Sequence, residues 1–349
     1  MKNSILFICI LLLMSCSSFY RFTIEVQEPA LVTLPPNVVN ILVVNNSVPQ
    51  PGDVGVNRTF RGIPVAGIDL NLDSMASIAT VSLASHLQQS RFFDRVLTSP
   101  ASLRNDSDWM DTKVLSDSFK IDAFETHGFD GIISIDRFFV LFNQKVPNSF
   151  YYTDFKIYGS AICSIHIYGR TIPLAKFVVS DSLSYDALIE GDMVEIFKKC
   201  PESFIEYFAS TIGEQISRQI IPGWHEKERY LYAGSQSRTY EAFRFALKSN
   251  WSHAISLWKN EYEQALQPQR KGKLASNLAV AYEMLDQLDT AQHWATVAQN
   301  HFQETGQPAA SVENTRIDAY ITDLQKRIID NYLLDLQWGV SKDPSEKME

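Results

Sequence analysis

The residues best suited to covalent chemistry are four cysteines, two of which lie near the amino terminus. Cys9 lies in an apolar run from Ile5 to Met14 that follows Lys2 and leads into Cys16. A cationic start, a short apolar run and small residues are typical of a secretory signal peptide. The run spans about 15 Å, which is too short to cross a hydrocarbon core of about 30 Å. Residues 1–15 are therefore predicted to be a removable signal peptide.

The residues around the predicted cleavage point suggest lipid attachment. Leu13-Met14-Ser15-Cys16 resembles the lipobox of bacterial lipoproteins, in which a Leu and two small or apolar residues precede an invariant Cys. The resemblance implies cleavage before Cys16 and covalent attachment of lipid, including palmitate, to Cys16. No other cofactor is expected. Several acyl chains hold a protein on a bilayer where one binds only marginally. Ser17 and Ser18, without Asp, imply transport to the outer membrane, and the lack of a following acidic cluster favours its periplasmic side.

Two thiols, Cys163 and Cys200, remain after cleavage and lipid attachment. Outside the cytoplasm they could form one disulfide. The alternative is that Cys163 is a small apolar residue of the core, because it alternates with polar positions on a predicted strand. Its face of that strand also carries Phe155, Ile157, Ala161, Ile165 and Ile167. The pattern favours the second interpretation and leaves the first open.

Motifs for catalysis, metal binding and nucleic-acid binding are lacking in the sequence. It has no Gly-x-Ser-x-Gly elbow, no phosphate-binding glycine loop and no His-Glu-x-x-His pair. His293 and His301 lie eight residues apart, too far along a helix to hold one ion. The net charge of -9 and the absence of a basic cluster disfavour nucleic acid as a partner. We expect a protein that is not an enzyme and carries no metal.

Hydrophobic periodicity predicts an α/β domain with a mixed sheet over residues 37–222, after a lipidated tether over 16–36 in which Phe19–Val26 is expected to pair as an edge strand. A first strand is expected over Val38–Val44 and helices over 69–92, 112–127 and 201–221. Three further strands are expected over 130–142, 151–168 and 172–185. The middle one sets its apolar face against Asp154, Lys156, Tyr158, Ser160, Ser164 and His166. A sheet with one wet face favours an antiparallel meander.

Residues 223–340 are predicted to be an all-helical repeat domain, followed by a disordered tail over 341–349. Two segments of similar sequence align when Ala254 is matched with Ala291. The spacing between them is 37 residues, near the 34-residue period of the tetratricopeptide repeat. The second segment resembles that repeat through Ala279, Tyr282, Leu288, Ala291, Ala295 and Ala298. The first is a degenerate copy, and a helix over 311–336 is expected to cap the pair. Trp251 and Trp258 are expected in the core between helices.

The combination of a lipobox-like amino terminus, an α/β half and a helical second half resembles a family of bacterial outer-membrane lipoproteins. Members of that family have an α/β domain followed by degenerate tetratricopeptide-like repeats. No function is established for that family. The front half is also similar, at the level of fold, to the α/β domain of curli-secretion-type lipoproteins. This likeness depends on the Val-rich first strand and on the phrase from Leu87 to Phe93.

The main hypothesis is a scaffold or assembly factor of the cell envelope that binds a protein or peptide through its repeats. Lys273, Asn277 and Glu283 are predicted to point to the concave face of the second repeat, although an ordinary solvated helix surface is the simpler explanation of all three. One alternative is a subunit of a secretion or transport assembly that oligomerises through the α/β domain. Another is a hydrolase without a recognisable motif or a glycan-binding protein, for which Tyr151, Tyr152 and Trp224 could supply stacking surfaces.

Overall fold

The computed structural model describes residues 19–65, 71–147, 152–188, 202–234, 237–306 and 308–339. The predicted signal peptide, Cys16, Tyr151, Cys200 and the tail over 341–349 lie outside these residues. The chain divides into two compact units. The α/β unit comprises Ala30–Pro222 and the residues from Leu336 onward, and the helical unit comprises the residues up to Pro29 and Gly223–Asp335. A mixed-sheet unit and a mostly helical unit confirm the predicted fold class.

Strand β1 (Phe19–Glu28) belongs to the helical unit, and the α/β unit contains a seven-stranded sheet. The sheet consists of β2 (Asn40–Asn45), β3 (Val56–Phe60), β4 (Ile63–Pro64), β5 (Arg95–Ser102), β6 (Gly131–Val146), β7 (Tyr152–Ile167) and β8 (Ala175–Leu188). β2 lies between β5 and the first half of β6 and is parallel to both, and β3 is parallel to the second half of β6. β6, β7 and β8 form an antiparallel meander, as predicted.

Two layers cover the sheet. On one face pack α1 (Met75–Gln89) and α3 (Glu202–Ser217), whose stripe of Phe204, Phe208, Ile212 and Ile216 is buried as its four-residue spacing indicates. On the other face a smaller apolar cluster includes Leu115, Ala123 and Phe129. Val43 belongs to the first cluster and Val44 to the second. β2 is therefore covered on both sides, which explains its continuous apolar run.

Two predictions about this unit are wrong in detail. The helix expected over 112–127 is shorter: Ser116 caps it by accepting the N–H of Phe119, and α2 (Asp117–Ile121) passes into a π-helical turn over Asp122–Thr126. Ser164 and His166, expected on a wet face, are 4% and 1% exposed. The segment that carries the smaller apolar cluster covers this end of the sheet, since alternation marks two faces but not what lies over them.

The helical unit has five helices and a two-stranded ribbon among its described residues. The helices are α4 (Ser237–Ala246), α5 (Trp251–Gln264), α6 (Pro268–Glu283), α7 (Leu288–Glu304) and α8 (Val312–Gln337), of which α8 ends beyond the unit boundary at Asp335. The four aligned positions Ala242, Ala279, Ala254 and Ala291 are fully buried. Trp258 is fully buried and Trp251 nearly so, which confirms their predicted place in the core.

The ribbon confirms the strand expected over Phe19–Val26 and pairs it with an unpredicted strand at the start of the mostly helical second half. β1 pairs along its whole length with β9 (Gly223–Tyr232), antiparallel, from Phe19 opposite Tyr232 to Glu28 opposite Gly223. Most of the segment expected to be a tether is thus part of the helical unit. The predicted order, with the α/β domain next to the anchor, is replaced by a chain that enters the helical unit first.

Candidate functional site

The three residues predicted to bind a partner on the repeat face contact the chain's own strand or lie in the core. Asn277 is fully buried, and its side-chain amide contacts the backbone of Tyr232. Its Oδ1 accepts the N–H of Tyr232 at 2.7 Å, and its Nδ2 donates to the carbonyl oxygen of Tyr232 at 2.8 Å. An amide that forms both bonds holds an extended backbone as a neighbouring strand would. Asn277 therefore binds a strand, but the strand is β9.

Glu283 is also unavailable to a partner, because its side chain has no exposed surface. Its two oxygens accept from Arg229 Nε at 2.6 Å and from Arg229 Nη2 at 2.7 Å. It also accepts from the Tyr320 hydroxyl at 2.8 Å and pairs with Arg327. Arg229 donates further to Asp323 at 2.6 Å. These residues form an internal charge network that links β9, α6 and α8.

Lys273 is half-buried, and its Nζ lies 5.5 Å from the centre of the Tyr232 ring. This is the geometry of a cation–π contact. Asn277 and Glu283 are therefore buried away from any partner, whereas Lys273 keeps part of its side chain at the surface. The repeat face is occupied because β9, which ends at Tyr232, five residues before α4 begins at Ser237, folds back onto α6.

A cavity of about 330 Å³ lies between β9, α6 and α8, entirely within the helical unit. Its walls are mostly apolar and are lined by Lys227, Glu228, Arg229, Tyr230, Tyr232, Ser276, Val280, Thr315, Arg316, Ile317, Ala319, Tyr320 and Asp323. A concave, mostly apolar site with a few charged groups is the usual form of a binding pocket. The sequence offered no signal for it, since β9 was not predicted.

The cationic side chains around this cavity differ in whether they form an ion pair. Arg229 is paired with Glu283 and Asp323, and Lys227 lies 2.7 Å from Glu28. Arg316 has no ion pair with any of the described residues, and its guanidinium stacks on Phe19 and Tyr230 instead. The cavity thus offers an incoming anion one cation that is not already neutralised.

The tyrosines of the cavity are suited to binding, not to proton transfer. Burial raises the pKa of Tyr232 to about 12, and Glu313 adds to the effect. Burial and then the Glu283 carboxylate raise the pKa of Tyr320 well above its ordinary value. Both hydroxyls are therefore protonated near neutral pH, where a general base needs a pKa close to the working pH. They act as neutral hydrogen-bonding groups and apolar walls.

A second polar cluster lies in the α/β unit around Asp136. Asp136 lies at a bulge of β6 and is 3% exposed. It accepts from Ser164 Oγ at 2.5 Å, from Ser134 Oγ at 2.7 Å and from Asn46 Nδ2 at 3.2 Å. The signal available in the sequence was Ser134 and Asp136, two polar residues that alternate with the isoleucines of the first part of β6. Because both serine hydroxyls donate to the carboxylate and are buried, the cluster satisfies a buried charge and does not activate a nucleophile.

His166 lies beside this cluster. Neither of its ring nitrogens has a hydrogen-bond partner among the residues that the structure describes. Burial lowers its pKa, while the charge of Asp136 raises it and that of Lys120 lowers it further. The ring is thus neutral at pH 7 and packs as part of the core.

The remaining sequence candidates are structural or lie outside the described residues. His301 is held by the Tyr262 hydroxyl at 2.8 Å and by Glu304 at 3.0 Å. Trp224 and Tyr152 are exposed. Within the described ranges no group of three or more His, Cys, Asp or Glu is arranged to hold a metal ion. No helix of the described part of the chain is both long and apolar enough to span a membrane.

Cys163 is a free, fully buried thiol, which confirms the interpretation that places it in the core. Cys200, its possible disulfide partner, lies outside the described residues. Burial and the charge of Asp136 raise the pKa of Cys163 well above its ordinary value, so the thiolate that would react is suppressed.

We therefore expect Cys163 to resist thiol reagents in the folded protein. In a chain that begins at position 16 and so lacks Cys9, with Cys16→Ser and Cys200→Ser, Ellman's reagent should find no reactive thiol until urea is added. The same shortened chain with Cys16→Ser alone, unfolded without reductant, should release the thiols of both Cys163 and Cys200. Release of neither would show that the two residues form a disulfide.

Family models match both parts of the chain. The model described as "Domain of unknown function (DUF8603)" matches residues 38–232, more than half of the sequence. The chain belongs to the DUF8603 family. A second model, described as "Domain of unknown function (DUF6340)", matches residues 240–326. The DUF8603 match thus extends through β9, whereas the DUF6340 match lies within the helices.

Other comparisons add little to the family assignment. No curated protein matches this DUF8603 chain. A solved structure titled "Crystal structure of uncharacterized protein" aligns with 54% of this chain and 96% of its own, at 8% identity and a TM-score of 0.23. A likeness of that size carries no argument about function.

Proposed function

We propose that this DUF8603 protein is a lipid-anchored protein of the cell envelope that binds a protein partner through its helical unit. The cavity between β9, α6 and α8 carries the proposal, because it combines apolar walls with the guanidinium of Arg316, which forms no ion pair with any of the described residues. The resemblance of Leu13-Met14-Ser15-Cys16 to a lipobox supports the anchor, with the outer membrane and its periplasmic side as the location. Binding, not catalysis, is the proposed activity.

The chemistry of the cavity defines the segment that it would bind. A volume of about 330 Å³ accommodates one or two bulky apolar side chains. Arg316 favours a carboxylate beside them, since a guanidinium binds carboxylates with two parallel hydrogen bonds. The proposed partner therefore presents an aromatic or aliphatic side chain next to an acidic residue or a terminal carboxylate.

Site-specific cross-linking tests this proposal. A photoreactive phenylalanine at Thr315, which lines the cavity, should cross-link one envelope protein in living cells, whereas the same group at Gln325, exposed on α8 but outside the cavity, should not. Ala319→Trp should fill the cavity and abolish the adduct, while Gln325→Trp should leave it unchanged. Equal adducts from both positions, or no effect of Ala319→Trp, would overturn the proposal. The mass of the amino-terminal peptide tests the lipid on Cys16 separately.

A second candidate function is a subunit of a secretion or transport assembly, and β8 favours it. Within the described ranges β8 pairs only with β7, so its other edge offers 14 residues of unpaired backbone. Between Phe177 and Tyr185 the only charged residue is Asp181. Long edges with few charges pair readily with other chains. If this function holds, Ser182→Lys with Ser184→Lys should dissociate large species in light scattering, and the matched Thr substitutions should not. A lipid-free chain that is strictly monomeric would contradict it.

A further inference from the structure

The ribbon of β1 and β9 ends in a group of aromatic side chains, which we name the aromatic end: Phe19, Tyr20 and Tyr240, which are exposed, and Tyr230, which is partly exposed. The ring of Phe19 contacts that of Tyr230 edge-on, with 5.7 Å between centres. The ring of Phe243 lies 5.8 Å from Tyr20 and 6.2 Å from Tyr240. Phe19, Tyr20 and Tyr240 are 40%, 44% and 50% exposed. Phe19 and Tyr20 lie on opposite faces of the ribbon, so exposed aromatic side chains surround this end of it and offer a surface for interaction.

A cation belongs to the same surface. The guanidinium of Arg316 lies 3.7 Å from the centre of the Phe19 ring and 4.7 Å from that of Tyr230. Arg21, on the outer face of β1, is well exposed. Aromatic rings with polar tips and arginines with apolar stems suit the headgroup layer of a bilayer, where one end of a side chain is dry and the other wet. The composition of the aromatic end therefore matches a membrane surface.

The position of the proposed anchor makes this surface reachable. Three peptide units separate Cys16 from Phe19. Even fully extended, that length spans only about 11 Å. Because several acyl chains at Cys16 would lie in the bilayer, the aromatic end cannot be far from the headgroups. This step rests on the proposed lipid attachment.

We infer that the aromatic end docks onto the headgroup layer of a phospholipid bilayer, so that the protein contacts the membrane through a defined surface as well as through its lipid. The opposite end of the ribbon, where Trp224 pairs with Gln27, lies eight residues along β9, about 26 Å away. The two ends of the ribbon therefore stand at different depths relative to the membrane.

Depth-dependent fluorescence quenching tests the inference on the lipidated full mature chain. An environment-sensitive dye is attached to Tyr240→Cys or, as the distal control, to Trp224→Cys, both with Cys200→Ser. The chain is placed in vesicles of phosphatidylethanolamine and phosphatidylglycerol that contain nitroxide-labelled lipid. Position 240 lies far from Cys16 in the sequence, so quenching there reports the docked surface and not the anchored segment. We expect strong quenching at position 240 and little at position 224.

A second variant separates docking from tethering. Phe19→Ser with Tyr20→Ser should lower the quenching at position 240 to the level at position 224, while the chain still floats with the vesicles. Equal quenching at the two positions in the parent chain, or no change in the double variant, would overturn the docking. If mass spectrometry finds no lipid on Cys16 and the chain does not float, the anchor and the docking that rests on it both fail. If the chain is lipidated but is quenched equally at positions 240 and 224, the docking is contradicted and the lipid anchor is not.

Discussion

Replacing Glu283 with Gln is expected to lower the free energy of unfolding of the helical unit by about 3 kcal/mol or more, because it removes one partner of a buried ion pair. The carboxylate accepts from both nitrogens of Arg229 that face it, from Tyr320 and from Arg327. A neutral amide of the same size keeps the shape but must turn its NH₂ toward a guanidinium. Arg229 then retains only Asp323 as a charged partner.

Urea unfolding followed by tryptophan fluorescence measures this effect, since Trp224, Trp251, Trp258 and Trp294 lie in the helical unit. The matched control is Glu304→Gln, whose carboxylate is 56% exposed and pairs with His301. Exposed pairs contribute about 1 kcal/mol at most, so the control should unfold close to the parent midpoint. Equal shifts for Glu283→Gln and Glu304→Gln would contradict the structural role of the network.

The fold could be predicted where local periodicity decides the structure. The four-residue spacing of Phe208 and Ile212 and the two-residue alternation around Ile157 placed their helix and strand correctly, and both sets are fully buried. These patterns indicate which face of an element is apolar and therefore buried. They do not record what lies on that face, which is why Ser164 and His166 were expected in water.

The candidate site could not be predicted, because it depends on a pairing between distant parts of the chain. β1 and β9 lie about 200 residues apart in the sequence, and β9 carries the charged run from Glu226 to Arg229. Such a run is normally a solvated surface. It folds as a strand because Arg229 meets Glu283, a contact that no spacing within either segment reveals.

Asn277 illustrates the same limit from the other side. Its position on the first helix of the second repeat predicted contact with a partner protein, and the amide instead holds the backbone of Tyr232 in the same chain. The sequence pattern describes the chemistry of the amide but not the identity of the strand that it holds. With β9 in that place, the available binding surface shifts to the cavity beside Arg316.

A close approach of two helices in the α/β unit gives the second large effect. Gly213 lies in α3, and a Cβ built there would come within 2.4 Å of the Ala79 carbonyl oxygen and 2.9 Å of the Leu83 backbone nitrogen, both in α1. Real Cβ atoms do not approach backbone so closely, so the two helices must separate.

Gly213→Ala is therefore expected to destabilise the α/β unit by about 1–3 kcal/mol, the usual cost of overpacking, despite the higher helix propensity of Ala. Glu206→Ala, at an exposed position of α3, is the matched control and should leave stability within about 0.5 kcal/mol. Thermal unfolding followed by circular dichroism compares the two. If Gly213→Ala is as stable as the parent, then α1 and α3 do not pack backbone to backbone. The stripe of Phe208 and Ile212 would then be buried by a looser packing of the helices, since apolar spacing alone requires no close contact.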